Sequence, residues 1–237
     1  MKLKDKVALV TGSGRGIGKA IAFRMSLEGV EVILTARTAK ELEGARSEIE
    51  KHGGKAMCLQ ADLTRETDIE RMFSEINKKY GRLDILVNNA GMGRFGPARS
   101  LSMADFDEMW NLNMRALFQC TQKALPIMEK QNSGVIVNIS SLAGKNAFVN
   151  GSGYAATKWA LMGYSKCLML EERQYNIRVI TVCPGSVDTS FSALEQESDR
   201  TRKILKPEDV ADAVYAALIL PEHAMMSEID LRPTNPK

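Results

Sequence analysis

No apolar run in this chain approaches the ~18 residues that a membrane span requires. After the basic Met1–Lys6, the first apolar stretch lasts only from Val7 to Val10 before Thr11-Gly12, short of the ~7–15 residues of a secretory core. Neither a membrane nor a secreted protein is expected, and the cytoplasm is the expected location. The 2 histidines, His52 and His223, are too few for the usual zinc sites, so no metal is expected. Charge imbalance is also scarce: 32 basic against 29 acidic residues leaves +3, too little to argue for nucleic acid or an anionic membrane as partner. The 4 cysteines form no C-x-x-C pair. Cys58, Cys167 and Cys183 lie in apolar runs and read, with Cys120, as small buried hydrophobes in a reduced compartment.

With repeats, low-complexity tracts and interdomain linkers also lacking, the pattern that remains is an alternation. Short β-branched runs at Val7–Val10, Val30–Leu34, Lys55–Gln60, Leu83–Val87, Gly134–Ile139, Ile177–Val182 and Glu228–Leu231 alternate with helical stretches near 17–28, 38–52, 66–80, 103–130, 152–174 and 207–220. Strands so uniformly apolar imply burial on both faces. His52-Gly53-Gly54 and Lys79-Tyr80-Gly81 stop the second and third helices, and Thr64-x-x-Thr67 with Asp68 starts the third. Lys206-Pro207-Glu208-Asp209 places proline and acids in a first turn. Pro126 is expected to kink the long fourth helix. Residues 1–237 therefore read as a single Rossmann-type doubly wound α/β domain, with about seven parallel strands and helices on both faces.

The chemistry concentrates where strands end. Strand one runs into Thr11-Gly12-Ser13-Gly14-Arg15-Gly16-Ile17-Gly18 and then a helix. The spacing is T-G-x-x-x-G-x-G, not G-x-G-x-x-G. Glycines let the backbone approach a pyrophosphate while the helix N-terminus offers free N–H groups. Strand four leads into Asn88-Asn89-Ala90-Gly91, where small residues suit close approach to a ligand. Asp62, beside Leu63, is placed either to cap its own turn or to bond an adenine amine. Tyr154 and Lys158 share a helical face at i, i+4, where an ammonium favours phenolate and lowers the phenol's pKa. Ser141 ends strand five, near enough in chain to meet that phenol.

Strand two ends Thr35-Ala36-Arg37. An NAD site of this architecture usually has an acid there. Here Ala36 stands in its place and Arg37 follows, while Arg15 reaches toward the same ribose from the glycine turn. Two guanidinium groups without a carboxylate suit a 2′-phosphate, so NADP(H) is the expected cofactor.

Taken together, Gly12/Gly16/Gly18, Asp62, Asn88-Asn89-Ala90-Gly91, Asn113, Ser141, Tyr154, Lys158 and Pro184-Gly185-x-Val187-x-Thr189 resemble the short-chain dehydrogenases/reductases of ordinary length, over essentially the whole chain. The resemblance implies a tetrad of Asn113, Ser141, Tyr154 and Lys158. In it Ser141 bonds the substrate oxygen, Tyr154 exchanges its proton, and Lys158 holds the nicotinamide ribose. The Asn113 carbonyl positions a water beside the lysine. The family's spacing favours Ser141 over Ser140. It further implies cofactor contacts from Gly12 to Gly18 (Ser13, Gly14, Arg15 and Ile17 included), from Arg37, Asp62 and Leu63, from Asn89, Ala90 and Gly91, and from Pro184, Gly185, Val187 and Thr189.

Residues 186–206 are expected to form a short polar substrate lid. Phe95, Phe148, Val149 and Phe191 are candidates for an apolar patch over the site, with Phe148 and Phe191 as substrate contacts. The expected partner is a small carbonyl substrate, in a homotetramer or homodimer built through the fourth and fifth helices, where Met114, Leu117, Leu161, Met162 and Leu168 are more apolar surface than one sheet face needs, although some of them must pack inward. One alternative is reduction of 3-oxoacyl groups on an acidic carrier protein, with Arg200, Arg202, Lys203 and Lys206 as docking charges. A non-catalytic NADP-binding sensor or scaffold would be expected to lose the tyrosine or lysine, and both are present.

Overall fold

The structure is a computed structural model that describes residues 2–189, 191 and 204–235. In chain order the elements are β1 (Val7–Thr11), α1 (Gly16–Ser26), β2 (Glu31–Ala36), α2 (Ala39–Lys51), β3 (Lys55–Gln60), α3 (Glu66–Tyr80), β4 (Ile85–Asn88), α4 (Met103–Trp110), a π-helical segment (Asn111–Ala116), α5 (Leu117–Gln131), β5 (Gly134–Ile139), α6 (Ser152–Glu172), β6 (Ile177–Pro184), α7 (Pro207–Leu218) and β7 (Glu228–Leu231). They form one seven-stranded sheet in the order β3-β2-β1-β4-β5-β6-β7, with every neighbouring pair parallel. This is the doubly wound architecture that the alternation predicts.

Side-chain alternation along a strand explains why both faces are covered. In β1, Ala8 and Val10 join α1, α2 and α7 in one core through Ile21, Leu42, Ile49 and Val214. Val7 and Leu9 point the other way and join α3 and α5 through Ile69, Ile76, Cys120 and Met128. The chain steps outward from β1 through β2 to β3, then crosses back to β4 on β1's other side. That reversal leaves a crevice beyond the carboxyl ends of β1 and β4, where loops diverge.

Most predicted boundaries lie within a few residues of the observed ones, and the departures have physical reasons. Pro126 does not divide its helix. It lies inside α5, which continues to Gln131, and the departure from α geometry comes earlier, at Asn111–Ala116. α3 spans Glu66–Tyr80 as expected, but its N-cap is Arg65, not Thr64, and no side chain caps it. The Asp68 carboxylate instead accepts a hydrogen bond from the Asp62 N–H at 2.9 Å. Cys167 is exposed, unlike buried Cys120 and Cys183, because it falls on the outer side of α6. Leu117, Leu161, Met162 and Leu168 are buried within the chain's own core. They are the members of the apolar set expected from sequence that pack inward, while Met114 is half-buried. Among the described residues, no helix is long and apolar enough to cross a membrane.

Candidate active site

The glycine turn between β1 and α1 is locked by polar side chains. Gly12 adopts φ +64°, and a Cβ there would meet the Ala90 Cα at 3.0 Å. A Cβ on Gly18 would lie 2.4 Å from the Asn89 amide nitrogen. Only glycine admits that amide, whose Nδ2 donates to the carbonyls of Thr11 (2.9 Å) and Gly12 (3.2 Å). Thr11 Oγ1 accepts from the backbone N–H groups of Asn89 and Ala90 at 2.9 and 3.0 Å. Ser13 is likewise engaged, its Oγ accepting from the Thr35 N–H at 2.9 Å. The Asn89 Nδ2 group and the Ser13 hydroxyl thus shape the turn. Ile17 packs partly into the core.

At the edge of the turn the structure corrects one expectation. The end of β2 has no acid, but Glu41 on α2 reaches the same place: its Oε1 lies 3.5 Å from an Arg15 guanidinium nitrogen. A Cβ on Gly14 would come within 2.8 Å of the Glu41 Cβ and 3.5 Å of the Ala36 Cβ. Arg15 is 68% exposed, so this pair contributes about 0–1 kcal/mol and a stronger anion can displace it. Arg37 is exposed and makes no ion pair among the described residues. The Asp62 carboxylate accepts from the Thr64 N–H (3.0 Å) and hydroxyl (2.8 Å), which is the turn-capping alternative. Leu63 turns its side chain into the core.

On the other side of the crevice, β5 and α6 bring the catalytic candidates together. Ser141 caps the short 3₁₀ turn Leu142–Gly144, its Oγ accepting from the Ala143 N–H at 3.1 Å, and it is the polar neighbour that acts on the Tyr154 phenol. Ser140 is buried and its hydroxyl has no partner, so Ser141 is the serine presented to the phenol. Lys158 Nζ donates to the Ile139 carbonyl at 3.0 Å and stands 5.8 Å from the centre of the Tyr154 ring.

The electrostatics differ from the sequence expectation. Burial pushes the Tyr154 phenol up to about 12, with the Ser141 side chain opposing it, and burial lowers Lys158 to about 8. Desolvation penalises both charged forms, and neither Ser141 beside the tyrosine nor Cys183 beside the lysine offsets it. At neutral pH the phenol therefore holds its proton, the state required of a donor.

Asn113 lies in the π-helical segment, a feature frequent at functional sites. Its Oδ1 accepts from the Met92 N–H at 2.8 Å, and its Nδ2 donates to the Met92 carbonyl (2.9 Å) and to Thr157 Oγ1 (3.0 Å). It therefore ties the loop after β4 to the helix that carries Tyr154 and Lys158. Gly91 permits this approach, since a Cβ there would sit 3.2 Å from Asn113 Oδ1.

The segment after β6 closes the crevice. Gly185 N–H donates to the Leu231 carbonyl at 2.9 Å beyond Pro184, and Val187 bridges to Leu205. Thr189 reaches across to the glycine turn, its Cγ2 3.3 Å from where a Gly16 Cβ would be. Phe191 follows, and its ring lies 5.8 Å from that of Tyr154. The central part of the expected lid lies outside the described residues, and so do Arg200, Arg202 and Lys203.

Several residues of the site were missed by sequence reasoning. Besides Thr11, Thr157 and Glu41, a buried polar chain crosses beneath the cluster. In it Asn88 Nδ2 donates to Asn138 Oδ1 (2.9 Å) and to Thr121 Oγ1 (3.1 Å), and Asn138 Nδ2 donates to Ser165 Oγ (2.9 Å). The available signal was an asparagine inside the apolar strand Gly134–Ile139. The pairing of Glu41 with Arg15 left no signal, because 26 residues separate them.

A doubly wound sheet with this turn and this serine–tyrosine–lysine cluster at its carboxyl edge defines an oxidoreductase of the Rossmann type. Residues 6–200 match the short chain dehydrogenase family, and the chain belongs to it. A sepiapterin reductase of Chlorobaculum tepidum is 35% identical, with 97% of this chain and 96% of that protein covered. An uncharacterised oxidoreductase of Staphylococcus aureus is 33% identical, with 98% of each covered. Among solved structures, a metagenomic short-chain oxidoreductase in complex with NADP superposes with TM-score 0.88 at 36% identity, covering 99% of this chain and 100% of that one. An alcohol dehydrogenase from the archaeon Thermococcus sibiricus, complexed with 5-hydroxy-NADP, gives 0.91 at 28% identity with the same coverage.

Proposed function

We propose that this oxidoreductase is an NADPH-dependent carbonyl reductase in which Tyr154 is the proton donor. The observation that carries the reading is the convergence of Ser141 and Lys158 on the buried Tyr154 ring. NADP-bound relatives support the cofactor. The residues also fit it: positive φ at Gly12 and Gly16 turns the chain tightly between β1 and α1, and the first turn of α1, which has no side-chain cap, offers backbone N–H groups to a pyrophosphate. Arg37 and Arg15 would hold a 2′-phosphate.

When bound, NADPH supplies the hydride that reduces the carbonyl carbon. This chain's residues deal with the oxygen. Ser141 donates a hydrogen bond to it and stabilises the negative charge that develops there. Tyr154, kept protonated by burial, transfers its phenolic proton to the same atom. Lys158, an ammonium below about pH 8, would hold the nicotinamide ribose and stabilise the phenolate left behind. Asn113 fixes α6 against the loop after β4 and so sets where Tyr154 stands.

The experiment is a panel of ketones, quinones, 3-oxoacyl thioesters and sugars with NADPH, followed by loss of NADPH absorbance. Uncharged ketones should be reduced. Failure of every carbonyl, with NADPH bound, would contradict the reading. Preference for acyl thioesters would shift it to the carrier-protein branch.

A further inference from the structure

Three phenylalanines from three separate loops converge on the proton donor. Phe95, in the loop after β4, stands edge-on to the Tyr154 ring at 5.4 Å between centroids, and Phe148, ahead of α6, lies 6.0 Å from Phe95. Phe191, beyond β6, contacts Tyr154 from another side at 5.8 Å. They are 37%, 46% and 42% exposed, so they are not core residues that happen to lie nearby. Contiguous exposed apolar surface usually marks a binding site.

The backbone makes room for these rings. A Cβ on Gly151 would fall 2.2–2.5 Å from the Phe148 ring atoms. One on Gly93 would fall 2.7 Å from the Phe95 ring and 3.2 Å from the Phe191 ring. The loops bearing Phe95 and Phe148 are tied together, Gly96 N–H donating to the Asn150 carbonyl at 2.9 Å. Beneath, Tyr154 packs with Met109, Ala143, Met92 and Leu101. Arg94, one residue before Phe95, is already paired with Asp105 and Glu108 on α4. The three rings themselves offer an ionised substrate group no partner, and burying its charge against them carries the usual penalty.

We infer that Phe95, Phe148 and Phe191 form an aromatic cage for the substituent next to the reacting carbonyl, and that the preferred substrates are uncharged carbonyl compounds bearing a flat aromatic or conjugated ring. The inference rests on the carbonyl-reductase reading and specifies its substrate class. With its oxygen on Ser141 and Tyr154, such a carbonyl places its ring among three aromatic side chains, where offset and edge-to-face contacts favour a planar group over a saturated one of equal size.

The test compares kcat/KM for methyl benzoylformate, its cyclohexyl analogue and methyl pyruvate, with NADPH, in the parent and in Phe95→Leu, Phe148→Leu and Gly151→Ala. The parent should favour the phenyl over the cyclohexyl compound by about tenfold, mostly in KM. Each variant should reduce that ratio severalfold, Gly151→Ala because its methyl displaces the Phe148 ring. Circular dichroism checks that each variant is folded. A phenyl-to-cyclohexyl ratio within about twofold of one in the parent, or a ratio unchanged in all three variants, overturns the cage while turnover of methyl pyruvate keeps the reductase reading intact. No turnover of any of the three compounds overturns the reductase reading, and the cage with it.

Discussion

Lys158 donates to the Ile139 carbonyl at 3.0 Å, which stations its ammonium 5.8 Å from the centre of the Tyr154 ring. Burial of the lysine at that station is what lowers it to about 8. A cation kept so far from water opposes folding, and the site accepts that cost for the sake of its chemistry.

Lys158→Met should therefore abolish turnover without destabilising the fold at neutral pH. Because the folded-state pKa lies below the ordinary value of 10.5, the unfolded chain binds more protons between about pH 8 and 10.5. Parent stability gains from rising pH across that window. The methionine variant lacks this gain, so any stability advantage it has, up to about 3 kcal/mol at pH 7, should shrink toward pH 10.5. Urea unfolding of both proteins at several pH values checks the slope. Equal slopes would contradict the desolvated lysine.

In the parent, reduction should fall as pH rises through about 8, where Lys158 loses its proton. Tyr154, raised to about 12, remains a donor throughout. A pH profile of kcat/KM that stays flat to pH 10 would contradict the lysine's role.

Cofactor choice is proposed to depend on Arg15, Arg37 and Glu41. One charge-assisted hydrogen bond to a 2′-phosphate contributes about 1.5–3 kcal/mol, so the parent should bind NADPH about 10–100-fold more tightly than NADH. Ala36→Asp with Arg37→Ala should reverse the preference. Glu41→Gln removes a carboxylate that competes for Arg15 and should tighten NADP⁺ binding severalfold, read by calorimetric titration at fixed salt. Unchanged affinity would place Glu41 outside the phosphate site.

Much of this arrangement was legible in the sequence because it is local. The strands β3, β5 and β7 fall on the expected residues, since a short run bounded by glycine or a charge has few alternatives. Ser141, Tyr154 and Lys158 were readable because a strand end and an i, i+4 helical pair fix where side chains go. What escaped depends on contacts between distant segments. The Asn89 amide looked like a ligand group until the glycine turn was seen to occupy it. The Tyr154 pKa was expected to be lowered by a neighbour and is instead raised by burial, which no sequence pattern displays. Pro126 proved tolerable within a helix whose irregularity lies a few turns earlier, at Asn113.

Assembly offers a further check. Phe118, Trp159 and Leu170 are 42%, 54% and 56% exposed on the outer side of α5 and α6. These residues, not the inward-facing members of the set expected from sequence, are proposed to pack against a second copy. Trp159→Glu with Phe118→Glu should lower the mass in light scattering from a dimer or tetramer to a single subunit. A parent that is already monomeric at micromolar concentration would remove the interface.

The central claim, that Tyr154 donates the proton in an NADPH-dependent carbonyl reduction, is tested most directly by Tyr154→Phe. The change removes one hydroxyl, and Lys158 keeps its bond to Ile139. NADPH oxidation with the best ketone of the panel should fall at least ~100-fold in kcat, while the titrated affinity for NADPH stays within about twofold of the parent. Turnover retained within a few-fold of the parent would contradict the account.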